Sequence, residues 1–201
     1  MKRFIILSII GLLFSAEIYA QDINLPAPQT EGGLPLMQAL SQRKTIRAFS
    51  TKELDLQVLS NLLWAANGFN RSDKRTAPTA RNAQELEIYV SLPNGWYWHD
   101  AKNNVLVQKG TEDIRALTGP QDFVAGAPIN IVIIADTGKQ ASKDYQYLDA
   151  GYISQNIYLF CASEGLATVA RGMVNREELS KAMNLPDHQV IVLAHTVGYP
   201  Q

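Results

Sequence analysis

The chain has 201 residues, 46% of them hydrophobic and 18% charged, which is enough to form one globular domain with a substantial core. Its formal net charge of -1 excludes the basic surface that is typical of nucleic-acid-binding proteins. The single cysteine, Cys161, excludes an internal disulfide and a zinc ribbon. Because Tyr158, Leu159 and Phe160 precede this cysteine, we expect a buried thiol that packs as a small hydrophobic group.

Residues 1–20 have the pattern of a signal peptide. Lys2 and Arg3 form a positive n-region, residues 4–14 are apolar or small, and Ala20 is a small residue at the end of the segment. We expect cleavage after Ala20, with an uncleaved anchor as the alternative. The apolar run is shorter than a bilayer-spanning helix, so no stable membrane insertion is expected after cleavage. The segment therefore predicts an exported protein, either periplasmic or extracellular.

Residues 21–34 contain two prolines and two glycines, a composition typical of an arm or linker, and we expect the folded domain to cover residues 35–201. A short first helix is predicted by the helical spacing of four apolar residues, Leu34, Leu36, Met37 and Leu40. A second helix is predicted over residues 56–66, with Asp55 as its N-cap and Gly68 as its C-terminal stop.

The strands are predicted by alternation, apolar runs and turn residues. The segments with these patterns are residues 86–92, 96–98, 105–107, 129–135 and 190–197. Pro93-Asn94-Gly95 predicts a turn between the first two of them. The continuous apolar run at 129–135 indicates a strand that is buried on both faces. Residues 167–173 are mostly small and indicate a further strand or turn, which contains Arg171.

The longest periodic segment runs from Ser142 to Gly165 and predicts a central, nearly buried helix, since apolar residues occur on several of its faces. In a chain of this length, such a helix suggests that a second subunit covers part of it. Shorter helical segments are predicted at residues 113–118 and after Asn175, which forms an N-cap pair with Glu178.

A basic stretch, residues 41–49, carries Arg43, Lys44 and Arg47 beside the hydroxyl of Thr45. Guanidinium groups make bidentate, charge-assisted bonds with phosphate, and a hydroxyl adds a neutral donor. The stretch therefore indicates a phosphate site. The alternative is a solvated helix end whose cations complement the helix dipole, and the stretch by itself leaves both interpretations open.

A loop of small and hydrogen-bonding residues, which we call the polar loop, follows at residues 77–84. Its candidate binding residues are Pro78, Thr79, Asn82 and Gln84. Because Asn and Gln amides both donate and accept hydrogen bonds, the loop is suited to clamp the edge of a heterocycle. The alternative is the start of a helix capped by Thr79.

Four common enzyme motifs are absent from the sequence: GxGxxG, GxxxxGK[ST], HExxH and GxSxG. The three histidines, His99, His188 and His195, are scattered along the chain. Neither a metal site nor a Ser/His/Asp triad is therefore expected, and no catalytic residue is assigned. His195 lies in an apolar strand, where a structural histidine with satisfied hydrogen bonds is expected.

Several blocks, in order along the chain, resemble the FMN-dependent nitroreductase family, including the flavin dehydrogenases of thiazole/oxazole peptide maturation. The blocks are Arg43–Phe49, Ala77–Gln84, Asp149–Leu159, Gly165–Thr168, Arg171-Gly172 and Val197–Pro200. The match covers the chain from about residue 35 to its end. The sequence departs from the family at Glu85-Leu86, where many members have Pro-Trp, and at Arg171, where apolar or acidic residues are common.

The resemblance implies an α+β fold, a nitroreductase-like sandwich in which an antiparallel-dominated mixed sheet is flanked by helices. It also implies a homodimer formed through the central helix, with two FMN sites at the interface. By the same resemblance, Arg43, Lys44 and Thr45 would hold the phosphate of FMN, and Arg47 would lie near the N1/O2 edge of the flavin.

The remaining cofactor-binding residues that the resemblance implies lie in two segments. In the polar loop, Asn82 would bond the ring system, with Pro78, Thr79 and Gln84 beside it. The second segment would face N5 of the flavin with its backbone. Its residues are Ala170, Arg171, Gly172 and Met173.

The activity that the resemblance implies is a ping-pong reaction in which a small-molecule donor reduces FMN and an acceptor, such as a nitro compound or quinone, then takes the electrons. A flavin-dependent dehydrogenase of a small molecule or peptide is one alternative. A non-catalytic flavin-binding protein is another. NAD(P)H is not expected to be plentiful outside the cytoplasm, so the identity of the donor stays open.

Overall fold

The structure is a computed structural model that describes residues 21–201. The predicted signal peptide, residues 1–20, lies outside the described residues. The strands are β1 (Ile23–Asn24), β2 (Phe69–Arg71), β3 (Lys74–Arg75), β4 (Leu86–Leu92), β5 (Gly95–Asp100), β6 (Val105–Gly110), β7 (Ile129–Asp136), β8 (Ala167–Arg171) and β9 (Gln189–Gly198). The α-helices are α1 (Leu36–Gln42), α2 (Leu56–Asn67), α3 (Phe123–Gly126), α4 (Lys143–Ser163) and α5 (Arg176–Ala182).

Seven strands form one sheet in the order β1-β6-β5-β4-β7-β9-β8, and β2 pairs with β3 in a small separate hairpin. Every strand pair found within residues 21–201 is antiparallel. Helices flank this sheet, so the protein has the α+β sandwich that the resemblance implied.

Strand β7, which lies between β4 and β9 in the sheet, is buried on both faces, as its continuous apolar run predicted. Ile131 and Ile133 pack in the larger core with residues of α2 and α4. Val132 and Ile134 point to the opposite face, where they pack in a second core with Leu179 of α5. Because successive side chains of a strand alternate between faces, an apolar run of this length requires a layer of structure on each side.

Helix α2 begins after Asp55 and ends before Gly68, as predicted, but neither cap has the expected chemistry. The Asp55 side chain makes no capping hydrogen bond. Gly68 has an ordinary φ of -74°, so it is not a left-handed cap. A Cβ at Gly68 would lie 2.5 to 2.8 Å from atoms of Trp64, and this close approach to the last turn of the helix requires glycine.

Helix α4 is less buried than the sequence predicted. Ile153 and Ile157 are fully buried against the sheet, whereas Tyr145, Leu148 and Tyr152 are 44%, 57% and 48% exposed. The expectation of a nearly buried helix is therefore wrong within one subunit. Periodicity places apolar residues on several faces of a helix, but it does not show which of those faces the same chain covers.

Three elements were not predicted, and each is too short to carry a periodic pattern. In the predicted arm, Ile23 and Asn24 form β1 and pair with β6 at the edge of the sheet. The other two are the β2–β3 hairpin and the four-residue helix α3. The arm packs further on the domain, because the side chain of Asn104 donates to the carbonyl of Pro26 at 2.7 Å.

Cys161 and His195 have the structural roles that were expected. Cys161 is 1% exposed, and its burial raises the pKa of its thiol. The ring of His195 lies between two hydroxyl groups, with Nε2 2.8 Å from Ser154 Oγ and Nδ1 3.2 Å from Thr168 Oγ1. Burial, together with the nearby charge of Arg171, lowers the pKa of His195 to about 3, so this histidine is neutral.

Candidate functional site

The basic stretch leaves α1 and runs beside β8. Arg43 is the C-cap of α1, so the cations begin at the end of the helix, as predicted. Further along, the N–H of Ile46 donates to the carbonyl of Thr168 at 3.1 Å, and Phe49 pairs with Pro200. The backbone of the stretch is therefore fixed at both ends, and it is not a free basic tail.

Side chains of the basic stretch alternate between two sides. The guanidinium of Arg43 lies over the ring of Tyr158, 5.3 Å from its centroid, and Thr45 contacts the hydroxyl of the same tyrosine. Lys44 and Ile46 instead line a cavity of about 470 Å³ on the other side. The structure therefore brings Arg43 and Thr45 together and separates Lys44 from them.

The cations of this stretch have no anionic partner in the described part of the chain. None of the ion pairs found within residues 21–201 includes Arg43, Lys44 or Arg47. Arg47 is exposed and Arg43 is half-buried against Tyr158. Guanidinium groups without an internal carboxylate are available to bind an external anion.

Tyr158 of α4 joins the basic stretch to the end of β8. Its hydroxyl accepts a hydrogen bond from the N–H of Ala170 at 3.0 Å and lies 3.0 Å from Thr45 Oγ1. If the tyrosine hydrogen is donated to Thr45, the threonine keeps its own hydrogen for a further acceptor. We call this contact the tyrosine junction. It places the predicted phosphate segment next to the segment that was predicted to face the flavin.

The side chain of Arg171 turns away from this junction into the core. It is 4% exposed and donates to the side-chain oxygens of Thr196 at 3.0 Å, Thr118 at 3.1 Å and Asn130 at 3.0 Å. All of these acceptors are neutral, and burial lowers the pKa of Arg171 to about 10. Only backbone is therefore left at this position to contribute to a site.

The two residues after Arg171 face solvent. Gly172 is exposed, and a Cβ at that position would meet no atom within 4 Å. Met173 is 67% exposed, which is unusual for a large apolar side chain. With Ala170, these residues form a backbone edge that is open to an apolar ligand beside the tyrosine junction.

The polar loop contains a short 3-10 turn, Ala80–Asn82, with Thr79 at its N-cap position. Thr79 Oγ1 accepts a hydrogen bond from the N–H of Gln84 at 2.9 Å and thus closes the loop. The amide of Gln84 is used internally as well, because it accepts from Arg75 and donates to the carbonyl of Asp73. Gln84 therefore holds the loop in shape. Pro78 and Asn82 are exposed, although the Asn82 side chain also accepts from Gln84 at 3.2 Å and donates to the carbonyl of Asp73 at 3.4 Å.

Backbone strain is concentrated in the polar loop. Arg81, Asn82 and Gln84 have φ values of 57°, 56° and 48°, in the left-handed region that non-glycine residues rarely adopt. Each such residue costs roughly 1–2 kcal/mol. Strain of this kind persists where the surrounding structure holds the backbone, and it is often found at binding sites.

The polar loop is held by α4 at a level different from the tyrosine junction. Asp149 Oδ2 accepts a hydrogen bond from the N–H of Ala80 at 2.9 Å. Asp149 and Tyr158 are nine residues apart in the helix, which corresponds to about 13 Å along its axis. One chain therefore does not bring the polar loop and the basic stretch into contact.

The sequence analysis missed three residues that organise this region: Tyr158, Asp149 and Glu85. Tyr158 and Asp149 stand in the helix block of the family resemblance, but nothing in the helical pattern distinguishes them from packing residues. Glu85 stands where the sequence departs from that family, and this departure was the one available signal.

Within residues 21–201, no group of three or more His, Cys, Asp or Glu side chains is arranged to hold a metal ion. In the same range, no helix is long and apolar enough to cross a bilayer.

Comparisons with known proteins agree with this geometry. A family model described as the nitroreductase family matches residues 40–199. A protein described as a nitroreductase in Methanocaldococcus jannaschii is 28% identical over 179 residues, which cover 80% of this chain and 89% of that protein.

Solved structures give the same result. The crystal structure of a nitroreductase from Ralstonia eutropha is 39% identical, has a TM-score of 0.84 and covers 90% of each chain. A nitroreductase from Desulfovibrio desulfuricans, solved in complex with FMN, is 21% identical with a TM-score of 0.64 and covers 84% of this chain and 88% of that one. Since the family model spans most of the chain and the Ralstonia structure matches in sequence and fold, the chain belongs to the nitroreductase family.

Proposed function

We propose that this protein is an FMN-dependent oxidoreductase that transfers electrons from a small-molecule donor to a nitro, quinone or similar conjugated acceptor. The observation that carries the proposal is the tyrosine junction, where Tyr158 holds Thr45 and Ala170 together. The basic stretch is suited to bind a phosphate and the end of β8 is suited to contact a ring. Tyr158 brings these two segments together, although they are far apart in the sequence. Membership of the nitroreductase family and the FMN-bound relative from Desulfovibrio desulfuricans support the choice of flavin.

The phosphate of FMN fits the outer side of the basic stretch. Arg43 and Thr45 share that side at Tyr158, and no carboxylate in residues 21–201 pairs with Arg43. A guanidinium and a hydroxyl supply charge-assisted and neutral donors to phosphate oxygens. Arg47, two residues further along, is free to approach the ring or the phosphate. Lys44 lies on the other side and is left out of the proposed site.

The flavin ring fits the open backbone edge formed by Ala170, Gly172 and Met173. Gly172 leaves room for close approach, and Met173 offers an exposed apolar contact. When bound, FMN supplies the electron-transfer chemistry, so the protein needs no dedicated acid or base. The residues of this chain bind and orient the cofactor, and the open edge leaves space for donor and acceptor in turn.

A homodimer would complete the site. The exposed apolar residues of α4, including Tyr145, Leu148 and Tyr152, form a face that a second copy can cover. The polar loop lies about 13 Å along α4 from the tyrosine junction, so a two-fold axis near this face would bring the Asn82 loop of one copy towards the basic stretch of the other. Dilution should then release flavin as subunits separate. A monodisperse monomer that keeps its flavin would contradict this assembly.

Export is proposed from the signal peptide pattern of residues 1–20. Because NADH and NADPH are not expected to be plentiful outside the cytoplasm, the donor of an exported member stays open. Cell fractionation with an antibody against the chain would test the location. A protein found in the cytoplasm with its first 20 residues intact would overturn this part of the proposal.

The experiment that tests the function begins with the colour of the purified protein. We expect a yellow protein that releases about one FMN per subunit on denaturation, because the proposal places one cofactor site on each chain. Release of FAD, or of no flavin after incubation with FMN, would contradict the proposal. Anaerobic reduction with NADH, NADPH and small redox carriers then identifies the donor. Flavin reduction by an added oxidisable peptide or small molecule would instead indicate a dehydrogenase.

A further inference from the structure

Glu85, the residue that follows the polar loop, is buried, and no N–H group in the described part of the chain donates to its carboxylate. Its exposed fraction is 0%, and neither side-chain oxygen accepts a hydrogen bond from an N–H or hydroxyl donor within residues 21–201. Burying an ionised carboxylate without a partner costs far more free energy than burying a neutral carboxyl group. The location of Glu85 therefore favours its protonated form.

A second buried carboxyl group, that of Asp149, lies beside Glu85. Asp149 is 3% exposed and comes from α4, whereas Glu85 stands between the polar loop and β4. One oxygen of Asp149 already accepts the N–H of Ala80 at 2.9 Å. Two neighbouring carboxyl groups are stable in a buried site when they share one proton, and they repel each other when both are ionised.

We propose that Glu85 and Asp149 form a proton-sharing pair that holds the polar loop against α4, so that loss of the shared proton loosens the loop and weakens FMN binding. The proposal rests on the proposed FMN-binding function. Both residues are positioning residues, because they act through the loop and make no contact with the proposed ligand.

The charges around the pair favour a proton at neutral pH. Burial, with a further contribution from Asp149, raises the pKa of Glu85 to about 7. Lys139, in the turn after β7, acts in the opposite direction, but it pairs with Glu87 at 3.4 Å. The proton is therefore held below about pH 7 and lost above it, within the range where proteins function.

The backbone of the polar loop explains why the pair matters. Arg81, Asn82 and Gln84 all have left-handed φ values, and this strained conformation needs support from outside the loop. The bond from Ala80 to Asp149 supplies that support from α4. When both carboxyl groups are ionised, their repulsion moves Asp149 away from Glu85 and releases the N–H of Ala80.

The first test uses the purified protein stripped of flavin, so it does not depend on FMN binding. Carboxyl carbons of glutamate are followed by ¹³C NMR as the pH is raised, and Glu85 is identified by the signal missing in Glu85→Gln. We expect Glu85 to titrate near pH 7, and to titrate lower in Asp149→Asn. The backbone N–H of Ala80 should exchange with solvent faster in the wild type than in Glu85→Gln once the pH exceeds about 7. The two proteins are compared at the same pH, which removes the intrinsic pH dependence of exchange. A Glu85 that titrates near its ordinary value would overturn the proposal.

The second test measures the dissociation constant of FMN between pH 6 and 8. A one-proton linkage predicts that the affinity of the wild type falls by up to about tenfold more than that of Glu85→Gln over this range. The amide introduced by Glu85→Gln keeps a hydrogen-bond donor for Asp149 and has no proton to lose. The phosphate of FMN also titrates near pH 6, but its contribution is the same in both proteins.

Glu112→Gln is the matched control, because it removes an exposed carboxylate that takes part in none of the ion pairs found within residues 21–201. This variant should keep the pH dependence of the wild type. If the dissociation constant of FMN depends on pH equally in the wild type and in Glu85→Gln, the proposal is contradicted even though FMN binds. If no variant binds FMN, the proposed function fails, and the titration of the flavin-free protein still decides whether the pair exists.

Discussion

The basic stretch and the end of β8 lie side by side at the tyrosine junction. Each of them contains arginine, but the arginines of the basic stretch reach solvent and the arginine of β8 is buried. Arg43 and Arg47 are at the surface and pair with no carboxylate in residues 21–201. Arg171 is 4% exposed and donates to oxygens of Thr118, Asn130 and Thr196. Charge and family position alone do not separate these two roles.

The difference shows where each guanidinium contributes free energy. A buried arginine whose donors are all directed to internal oxygens stabilises the folded chain, because removing it leaves those oxygens unpaired. An exposed arginine without an internal partner contributes little to folding and is available to a ligand. Substitutions at the two places should therefore change different measurements.

The largest expected effect is at Arg171. Arg171→Met should lower the free energy of unfolding by about 3–5 kcal/mol, because three side-chain acceptors lose a charged donor in the core. Denaturant unfolding with a flavin-free sample measures this loss. FMN affinity of the folded fraction should change little. Normal stability with lost FMN binding would contradict the structural role and return Arg171 to the ligand site.

Arg43→Ala should show the opposite pattern. We expect FMN binding to weaken by about 2–5 kcal/mol, because a charge-assisted contact to a desolvated phosphate is lost. The free energy of unfolding should stay within about 0.5 kcal/mol of the wild type. Lys44→Ala is the matched control, since Lys44 is adjacent but lies on the other side of the stretch. Equal losses in both variants would contradict the two-sided arrangement.

Acid stability reports on the core around Arg171. Burial lowers the pKa of His195 to about 3, so the unfolded chain binds a proton at this residue that the folded chain does not. Stability is therefore complete above the ordinary histidine pKa and is lost as the pH falls below it. Between pH 7 and pH 5 this loss is about 2 kcal/mol.

Urea unfolding of the wild type and His195→Gln at pH 7 and pH 5 measures the contribution of His195. Other titrating groups, including His99 and Glu85, contribute equally to both proteins and cancel in the difference. The stability of the variant should fall less on acidification than that of the wild type. Parallel losses in the two proteins would contradict a neutral, buried His195.

Tyr158→Phe tests the contact that joins the two regions. The substitution keeps the ring under Arg43 but removes the hydroxyl that bonds Thr45 and Ala170. FMN affinity should fall by about 1–2 kcal/mol, because both segments lose a hydrogen bond that positions them. Tyr97→Phe removes a hydroxyl that bonds Gln108 on strands β5 and β6, away from the junction, and should have no such effect. If Tyr158→Phe binds FMN as tightly as the wild type, the tyrosine junction is not part of the FMN site.

The smallest expected effect is that of Arg47→Gln on the reduction potential. A cation at the N1 side of the ring stabilises the reduced flavin, so its removal should lower the potential by roughly 30 mV, or about 1.4 kcal/mol for two electrons. Binding of oxidised FMN should change much less. Potentiometry on flavin-saturated protein makes the measurement. An unshifted potential with weakened binding would place Arg47 at the phosphate together with Arg43.

Local patterns in the sequence were sufficient for the main elements of this fold. The period of the apolar residues in α2 and α4, and the apolar runs of β4, β7 and β9, predicted these elements with bounds close to those observed. Periodicity and turn residues act over a few positions of the chain, so they can be recognised without knowledge of the partners. The order of the motifs added the fold class and the family.

The tertiary structure alone decided which of the predicted site residues act together. Thr45 and Tyr158 are 113 positions apart, and Ala80 and Asp149 are 69 apart, so no local pattern reveals either contact. Helical spacing likewise does not show which face of α4 stays open. Whether a guanidinium or carboxyl group faces solvent or neutral core oxygens depends on the packing of distant segments, and that packing determines whether the group stabilises the fold or is free to bind a ligand.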